Sequence, residues 1–523
     1  MIRDPDALAQ GEFDVLVVGG GIHGACIARD AALRGLRVAL VEQGDFCCAT
    51  SHNSLKTIHG GIRYLQHLNL KRAVESIREQ QIFLRTAPHL VQPLKFLMPT
   101  YGYGMRGPFA MAAGISLYEF FSALCSLFDY RRLGWPKGRL LSRQACLELA
   151  PGISTDNLKG GAIWADAQVA LADKAVLQIL QHAVDHDAVV CNHTKATALL
   201  SDEGGAYVVG ALVHDRFTGK DLRIKARMVV NATGPWMGNW MNHPKIPDTS
   251  LRVGLVKSMN LVVDRPAPAV AIGIKSSRAS DSKVDVANRL YFSVPWLDKT
   301  MIGTTHFTYH ENKAQPGIEQ VEIDQFVSEF NEAYPQLEIT PADVLYCYQG
   351  LTPGDDSAQS DGAKLHEGKL VAHEHSDNVA GVLSVIGIKW TTARLVAEQA
   401  VDMLLTLWND PRTCQTRRAP IPDYNTMPHE CSHLDDDALQ AFVMKHVSET
   451  QANCLDDIVL RRTNDLVLGR LLPKQIKVIA DALSRHFQWS EKRLQAEVNQ
   501  LLSSGLSPHY RQRIANEFSG VQA

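Results

Sequence analysis

Residues 13–43 read FDVLVVGGGIHGACIARDAALRGLRVALVEQ. An unbroken apolar run from Val15 to Val18 meets a cluster of glycines, then small residues at helical spacing, then a second apolar run from Val38 to Val41. That succession is strand, glycine turn, helix, strand: one βαβ unit of a parallel sheet. Ala25, Ala28, Ala31 and Ala32 leave a slim helix face that can lie close on a sheet, and Gly35 stands where a helix end favours glycine. Gly19, Gly21 and Gly24 form G-x-G-x-x-G at the strand-to-helix turn, where amide N–H groups and the helix dipole hold a pyrophosphate. Glu42 ends the second strand, in position to accept hydrogen bonds from an adenosine ribose. NAD and FAD share this fingerprint, so alone it does not name the cofactor.

Two further glycine turns narrow the choice. In MVVNATGPW, residues 228–236, a strand runs into Ala232-Thr233-Gly234, the kind of turn that passes beneath the dinucleotide in two-domain flavoproteins. In GIKWTT, residues 387–392, Gly387, Lys389, Trp390 and Thr391 stand at the head of another helix. Three such turns in this order suggest an extended FAD lying across one face of the sheet. Between them, from about 160 to 350, short β-rich runs alternate with polar turns, as antiparallel strands do. The expected fold is therefore α/β: a Rossmann-type FAD-binding domain, an inserted antiparallel β-rich substrate domain and a C-terminal helical domain. The expected boundaries are 1–75, 155–240 and 375–410 for the discontinuous FAD-binding domain, 76–154 and 241–374 for the substrate or cap domain, and 425–523 for the helical domain.

Bulk properties agree. A chain of 523 residues is too long for one core, and its 45 % hydrophobic content suits several. A formal net charge of -3 gives no whole-molecule attraction for nucleic acid. The ten cysteines are scattered without C-x-x-C pairs or zinc spacing, so no metal site and no disulfide scaffold are expected. The N-terminus lacks the apolar centre of a secretory signal, which favours a cytoplasmic location. FAMAAGISLYEFFSALCSLF, residues 109–128, reads first as a buried core helix, second as a helix on a membrane surface and last as a bilayer span.

The chain resembles the FAD-dependent glycerol-3-phosphate dehydrogenases of the D-amino-acid-oxidase-like flavoproteins. The likeness rests on the opening βαβ unit, on CATSHNSLKTIHGGIRYLQ (48–66), NATGPW (231–236), MIGTTHF (301–307) and GIKWTTAR (387–394), and on DDIVLRRTNDLV (456–467) in the tail. It implies that Thr50, Ser51 and Lys56 contact FAD, that Arg63 binds the anionic end of the substrate and that His59 takes the hydroxyl proton as hydride leaves for the flavin. Lys389 is then expected to stabilise negative charge on the reduced ring or substrate. Where the family carries an arginine before the proline of a G-x-R-P-L turn, this chain has Thr352. A second family arginine falls in SDGAKLHEGKLV, which offers Leu365, His366 or Glu367 instead, with Lys364 or Lys369 as substitutes, and His306 stands for an aspartate.

The leading functional reading is oxidation of a small secondary alcohol or polyol, phosphorylated or not, with electrons passed to quinone or another acceptor. A second reading within the enzyme class is oxidation of an amine or hydroxy acid, Arg63 holding a carboxylate. A third is a flavin-binding homologue without turnover. The partners implied are a small-molecule substrate, quinone, the inner face of the cell membrane and a second copy of the chain.

Overall fold

The computed structural model describes residues 1–62, 64, 69–104, 107–125, 135–238, 240–247, 254–276, 290–309, 317–354, 368–424 and 430–519. In chain order the strands are β1 (Glu12–Val18), β2 (Val38–Val41), β3 (Thr57–Ile58), β4 (Gln92–Tyr101), β5 (Arg139–Ser142), β6 (Leu158–Gln168), β7 (Val189–Cys191), β8 (Thr194–Ser201), β9 (Val208–Asp215) and β10 (Asp221–Asn231). They continue with β11 (Gly254–Pro266), β12 (Ala271–Lys275), β13 (Leu290–Trp296), β14 (Lys299–Tyr309), β15 (Val344–Gly354), β16 (Lys369–Ala372) and β17 (Val382–Ile386).

The opening stretch folds as its pattern predicts. β1 pairs parallel with β2, and the helix Ile22–Leu33 crosses between them, ending at Gly35 with φ +73°. The first sheet runs β16-β17-β10-β1-β2-β7, with β9 pairing β10 and β8 pairing β9. Its central neighbours are parallel, which demands apolar residues on both faces. One face carries Val15 and Val17 against the alanines of Ile22–Leu33 and against the helices Ala172–Val184 and Ala393–Leu407. The other face carries Leu16, Val18 and Val41 against Val208, Ala211 and Val213 of β9, which folds back over the sheet.

The second sheet, β15-β11-β14-β13-β12-β4-β6-β3 with β5 on β6, is antiparallel except for β12 beside β4. Its membership cuts across the expected boundaries. β3 and β6, inside the spans assigned to FAD binding, belong to this sheet because their backbones pair with each other and with β4. β16, inside the span assigned to the cap, instead pairs antiparallel with β17 at the edge of the first sheet.

Beyond Thr416 the tail is helical: Asp436–Thr450, Leu455–Arg461, Pro473–Phe487, Glu491–Leu502 and Pro508–Phe518 surround one apolar core. The helix Pro108–Cys125 is not the core helix that its composition first suggests. Met111, Ile115, Tyr118, Ser122 and Cys125 are buried along one side, while Phe109, Phe120 and Leu124 are 77, 56 and 66 % exposed on the other. Residues 126–128 of that stretch lie outside the described residues.

Candidate active site

The three glycine turns converge at the C-terminal ends of β1, β10 and β17. Gly19 has φ +112°, and a Cβ there would lie 2.5 Å from the Ala232 carbonyl, so the second turn is pressed directly against the first. A Cβ on Gly24 would meet the Gly19 carbonyl at 1.8 Å, which is how tightly the helix is seated on its turn. Glu42 accepts from the Gly20 amide at 2.6 Å and from the Gly44 amide at 2.8 Å. Burial pushes its carboxyl up, with the two amides opposing. Ser51 Oγ accepts from the Ile22 amide at 2.9 Å, and Thr50 Oγ1 donates to the Leu351 carbonyl at 2.6 Å. Thr233 Oγ1 donates to Asn231 Oδ1 at 2.7 Å and fixes the second turn.

These groups wall one end of a cavity of about 960 Å³, to which Gly19, Gly21, Glu42, Thr50, Ser51 and the Ala232-Thr233-Gly234 turn all contribute. The lining also includes His59, Tyr64 and Lys389, together with Gly387, Trp390 and Thr391, of which Gly387 packs on His23 and Trp390 Nε1 donates to the Ser51 carbonyl at 3.4 Å. His59 arrives there through sheet register. β3 pairs antiparallel with β6, Thr57 opposite Gln168 and Ile58 opposite Ala167, so the next residue on each strand brings His59 to Asp166. His59 Nδ1 stands 3.2 Å from Asp166 Oδ2. Asp166 Oδ1 accepts from the Gly60 amide at 2.7 Å, Gln80 Nε2 at 3.0 Å and the Tyr118 hydroxyl at 3.3 Å.

The carboxylate is thus buried and fully engaged, while the imidazole is 47 % exposed. Acceptor-only Asp166 selects the tautomer with hydrogen on Nδ1 and leaves Nε2 free to take a proton. Glycine is needed next to His59 because a Cβ on Gly60 would sit 2.0 Å from the Tyr118 hydroxyl. Gly61 follows with φ +85°.

Lys389 hydrogen-bonds the Tyr64 hydroxyl, and its ammonium lies 4.1 Å from the centre of that ring. Burial brings its pKa down to about 8. His23 was not singled out by sequence. It lies on the cavity wall at the start of the first helix, with Gly387 packed so closely that a Cβ there would be 2.4 Å from the ring. Burial lowers its pKa to about 4, so it is neutral, and its Nε2 has no hydrogen-bond partner.

The model of the family described as FAD dependent oxidoreductase matches residues 14–403. The chain belongs to the FAD-dependent oxidoreductase family. A glycerol-3-phosphate dehydrogenase of Synechocystis is 32 % identical over 427 residues, spanning 80 % of this chain and 74 % of the relative. The aerobic glycerol-3-phosphate dehydrogenase of Staphylococcus haemolyticus is 30 % identical over 421 residues, 78 % of this chain and 71 % of the relative. In structure, the glycerol-3-phosphate dehydrogenase from Bacillus halodurans complexed with FAD superposes with a TM-score of 0.68 at 23 % identity, covering 94 % of both chains. That likeness is one of fold.

The cavity of this FAD-dependent oxidoreductase fits the cofactor on its own evidence: a glycine turn at a helix N-terminus, a half-buried carboxylate at the end of β2, and on the wall a His23 whose Nε2 has no partner among the described residues. Two residues of the expected FAD-contacting set do not line this cavity. Lys56 is not on this cavity: it is buried behind it, donating to the His52 carbonyl with its ammonium 4.3 Å from the Tyr348 ring centre. Its φ of +58° turns the side chain away from the wall formed by its neighbours. Gly24 contributes packing of the helix rather than a wall.

Thr352 and His306 do face the cavity, whereas Lys369 sits on β16 away from it. Arg63 lies outside the described residues, as do Lys364, Leu365, His366 and Glu367. Sequence reasoning missed Asp166, Gln80 and Tyr118, whose local signal was Gly60, the glycine that makes room for Gln80 and Tyr118.

Proposed function

We propose that this flavoenzyme oxidises a secondary hydroxyl of a small polyol or its phosphate ester and passes the electrons to a quinone. The observation that carries the reading is His59, backed by the buried Asp166, on the same cavity as Lys389. The relatives named glycerol-3-phosphate dehydrogenase support it.

Gly19, Gly21, Glu42, Thr50, Ser51 and residues 232–234 hold the dinucleotide, with Gly387, Trp390, Thr391 and the neutral His23 bordering it nearer the catalytic end. FAD, when bound, supplies a two-electron acceptor that takes hydride from carbon. Asp166 holds the Nδ1–H of His59, so Nε2 receives the hydroxyl proton as the carbonyl forms. Lys389, mostly protonated at neutral pH with its pKa of about 8, offsets the negative charge that two-electron reduction leaves in the site. Arg63 is assigned the anionic end of the substrate.

Among the described residues on the cavity wall, the lysine and arginine side chains are Lys195 and Lys389. A phosphate at the reacting end therefore depends on Arg63 and Lys389 rather than on Thr352 or His306. On this reading the FAD-binding unit is drawn from 1–75, 155–240 and 375–410 without β3 and β6, the cap takes those strands with 76–154 and 241–374 without β16, and 425–523 form the helical unit. The exposed apolar face of Pro108–Cys125 is assigned to the membrane surface at which quinone is met.

Anaerobic mixing tests the proposal. Glycerol 3-phosphate, unphosphorylated polyols, hydroxy acids and amines are each added to the yellow holoenzyme, and bleaching of the visible flavin band is followed. Bleaching by a polyol or its phosphate, reversed by a soluble quinone, is expected; bleaching by amines or hydroxy acids alone would overturn it.

A further inference from the structure

Two adjacent arginines at the end of the helix Leu455–Arg461 leave the helical unit and grip the loop that follows β2. Arg461 Nε and Arg462 Nη1 each donate to Asp45 Oδ2 at 2.7 Å, and Arg462 Nη2 donates to Asp45 Oδ1 at 2.9 Å. Asn192 adds a fourth bond to Oδ1 at 3.0 Å. Asp45 and Arg462 are both fully enclosed. Arg462 is itself braced by Thr450, whose hydroxyl and carbonyl accept at 2.8 and 2.9 Å.

Arg461 continues the chain of contacts. Its Nη2 donates to Asp457 Oδ1 at 2.8 Å, and Asp457 Oδ2 meets His193 Nε2 at 2.9 Å. The His193 amide in turn donates to the Gly44 carbonyl at 2.8 Å. Both residues that flank this part of the loop, Gly44 and Asp45, are therefore held from the helical side. His193, Cys454 and Asp457 also lie close enough together to suggest a metal, but the Asp457 oxygens are already taken by His193, Arg461 and the amides of Asn453 and Cys454.

The same loop faces the FAD cavity on its other side. Gly44 gives its amide to Glu42, Cys47 gives its amide to the Gly20 carbonyl at 3.0 Å, and Ser51 receives the Ile22 amide. Gly44, Cys48, Ala49, Thr50 and Ser51 form the wall itself. Between these two sets of contacts there are only a few residues of irregular backbone. A carboxylate stripped of its guanidinium partners in such a place is an uncompensated buried charge, and the loop relieves that cost by opening toward water.

We propose that Arg461 and Arg462 are positioning residues for FAD: through Asp45 they hold the 44–51 loop in the conformation that forms the cavity wall, so that the helical unit is part of the cofactor site without touching the cofactor. The inference rests on the reading of the cavity as the FAD site, and its test separates the two.

Asp45→Asn and Arg462→Lys are prepared alongside wild type in the full chain. Arg470→Gln serves as control, because Arg470 joins the helical unit to Asp298 beyond β13 and does not touch the loop. FAD affinity is measured by ultrafiltration and by fluorescence of released flavin, with far-UV circular dichroism on the same samples. Loss of bidentate charged hydrogen bonds predicts that FAD Kd rises about tenfold or more in Asp45→Asn and Arg462→Lys at unchanged dichroism, and that Arg470→Gln keeps the wild-type Kd. Wild-type Kd in both loop-clamp variants, or an equal loss in Arg470→Gln, would overturn the proposal.

Hydrogen exchange at the amides of residues 44–51 in the apo forms gives a reading that needs no cofactor. Faster exchange in Arg462→Lys than in wild type supports the clamp, and equal exchange overturns it. Failure of wild type to bind FAD would strike the site assignment instead and leave the exchange comparison standing.

Discussion

Asp456 sits one residue before the clamp's Asp457 and has the opposite electrostatic fate. It is 8 % exposed, its Oδ1 has no hydrogen-bond partner among the described residues, and burial, reinforced by Asp457 and Glu497 against the attraction of Arg461, raises its pKa to about 7. The folded protein therefore binds a proton here that the unfolded chain releases near its ordinary carboxylate value of about 4. The sign follows: stability from this group is present below about pH 4 and is lost as pH rises through about 7. Asp456→Asn, which copies the protonated acid, is expected to raise Tm by about a few degrees at pH 8 and to leave it nearly unchanged at pH 4. Thermal melts at the two pH values check this.

A second residue-scale prediction concerns Asp166. Asp166→Asn keeps the shape but lets the amide N–H face His59 Nδ1, favouring the wrong tautomer, and the rate of flavin reduction should fall by about 10² to 10⁴ while FAD stays bound. Stopped-flow bleaching reads the first quantity and the visible spectrum the second.

At the scale of elements, the turn after β17 and the first residues of Ile22–Leu33 are interlocked through His23 and Gly387. A methyl at position 387 collides with the His23 ring and drives it toward the cavity that it lines, so Gly387→Ala is expected to release FAD on ultrafiltration. Gly114→Ala, on the helix Pro108–Cys125 with open space around it, should retain FAD fully and gain about 0.8 to 1 kcal/mol of local helix propensity.

The contrast also explains what could be read from the chain. Glycine turns, the βαβ unit and Glu42 are constrained by neighbours in sequence, so their residues carry the pattern openly. Asp166 lies 107 residues from His59 and meets it only because β3 pairs with β6, a register that no local period announces. Lys56 looked like part of the same functional run as Thr50 and Ser51, yet one left-handed backbone residue sends it to the Tyr348 side. In Pro108–Cys125 both faces are apolar, so composition could not tell which face meets the core.

At the scale of the whole molecule, that helix has one face toward the proposed site and one toward the outside. Its inner face carries Tyr118 to Asp166, and its outer face presents Phe109, Phe120 and Leu124. A double substitution Phe120→Glu with Leu124→Glu is expected to abolish co-sedimentation with liposomes while anaerobic flavin bleaching by substrate persists. Loss of both would place the fault in the support of Asp166 instead.

If the proposed clamp holds the FAD loop, the long span between Asp45 and its arginine partners has a consequence for biosynthesis. Arg461 and Arg462 follow Asp45 by 416 and 417 residues, which a ribosome takes about 20 to 80 s to translate. Throughout that interval the nascent amino-terminal fold has a carboxylate where its finished interior will be, with its guanidinium partners not yet made. Flavin loading is then expected to follow synthesis of the segment that carries Arg461 and Arg462, and cells short of chaperone capacity should accumulate colourless, protease-sensitive chains before they run short of riboflavin.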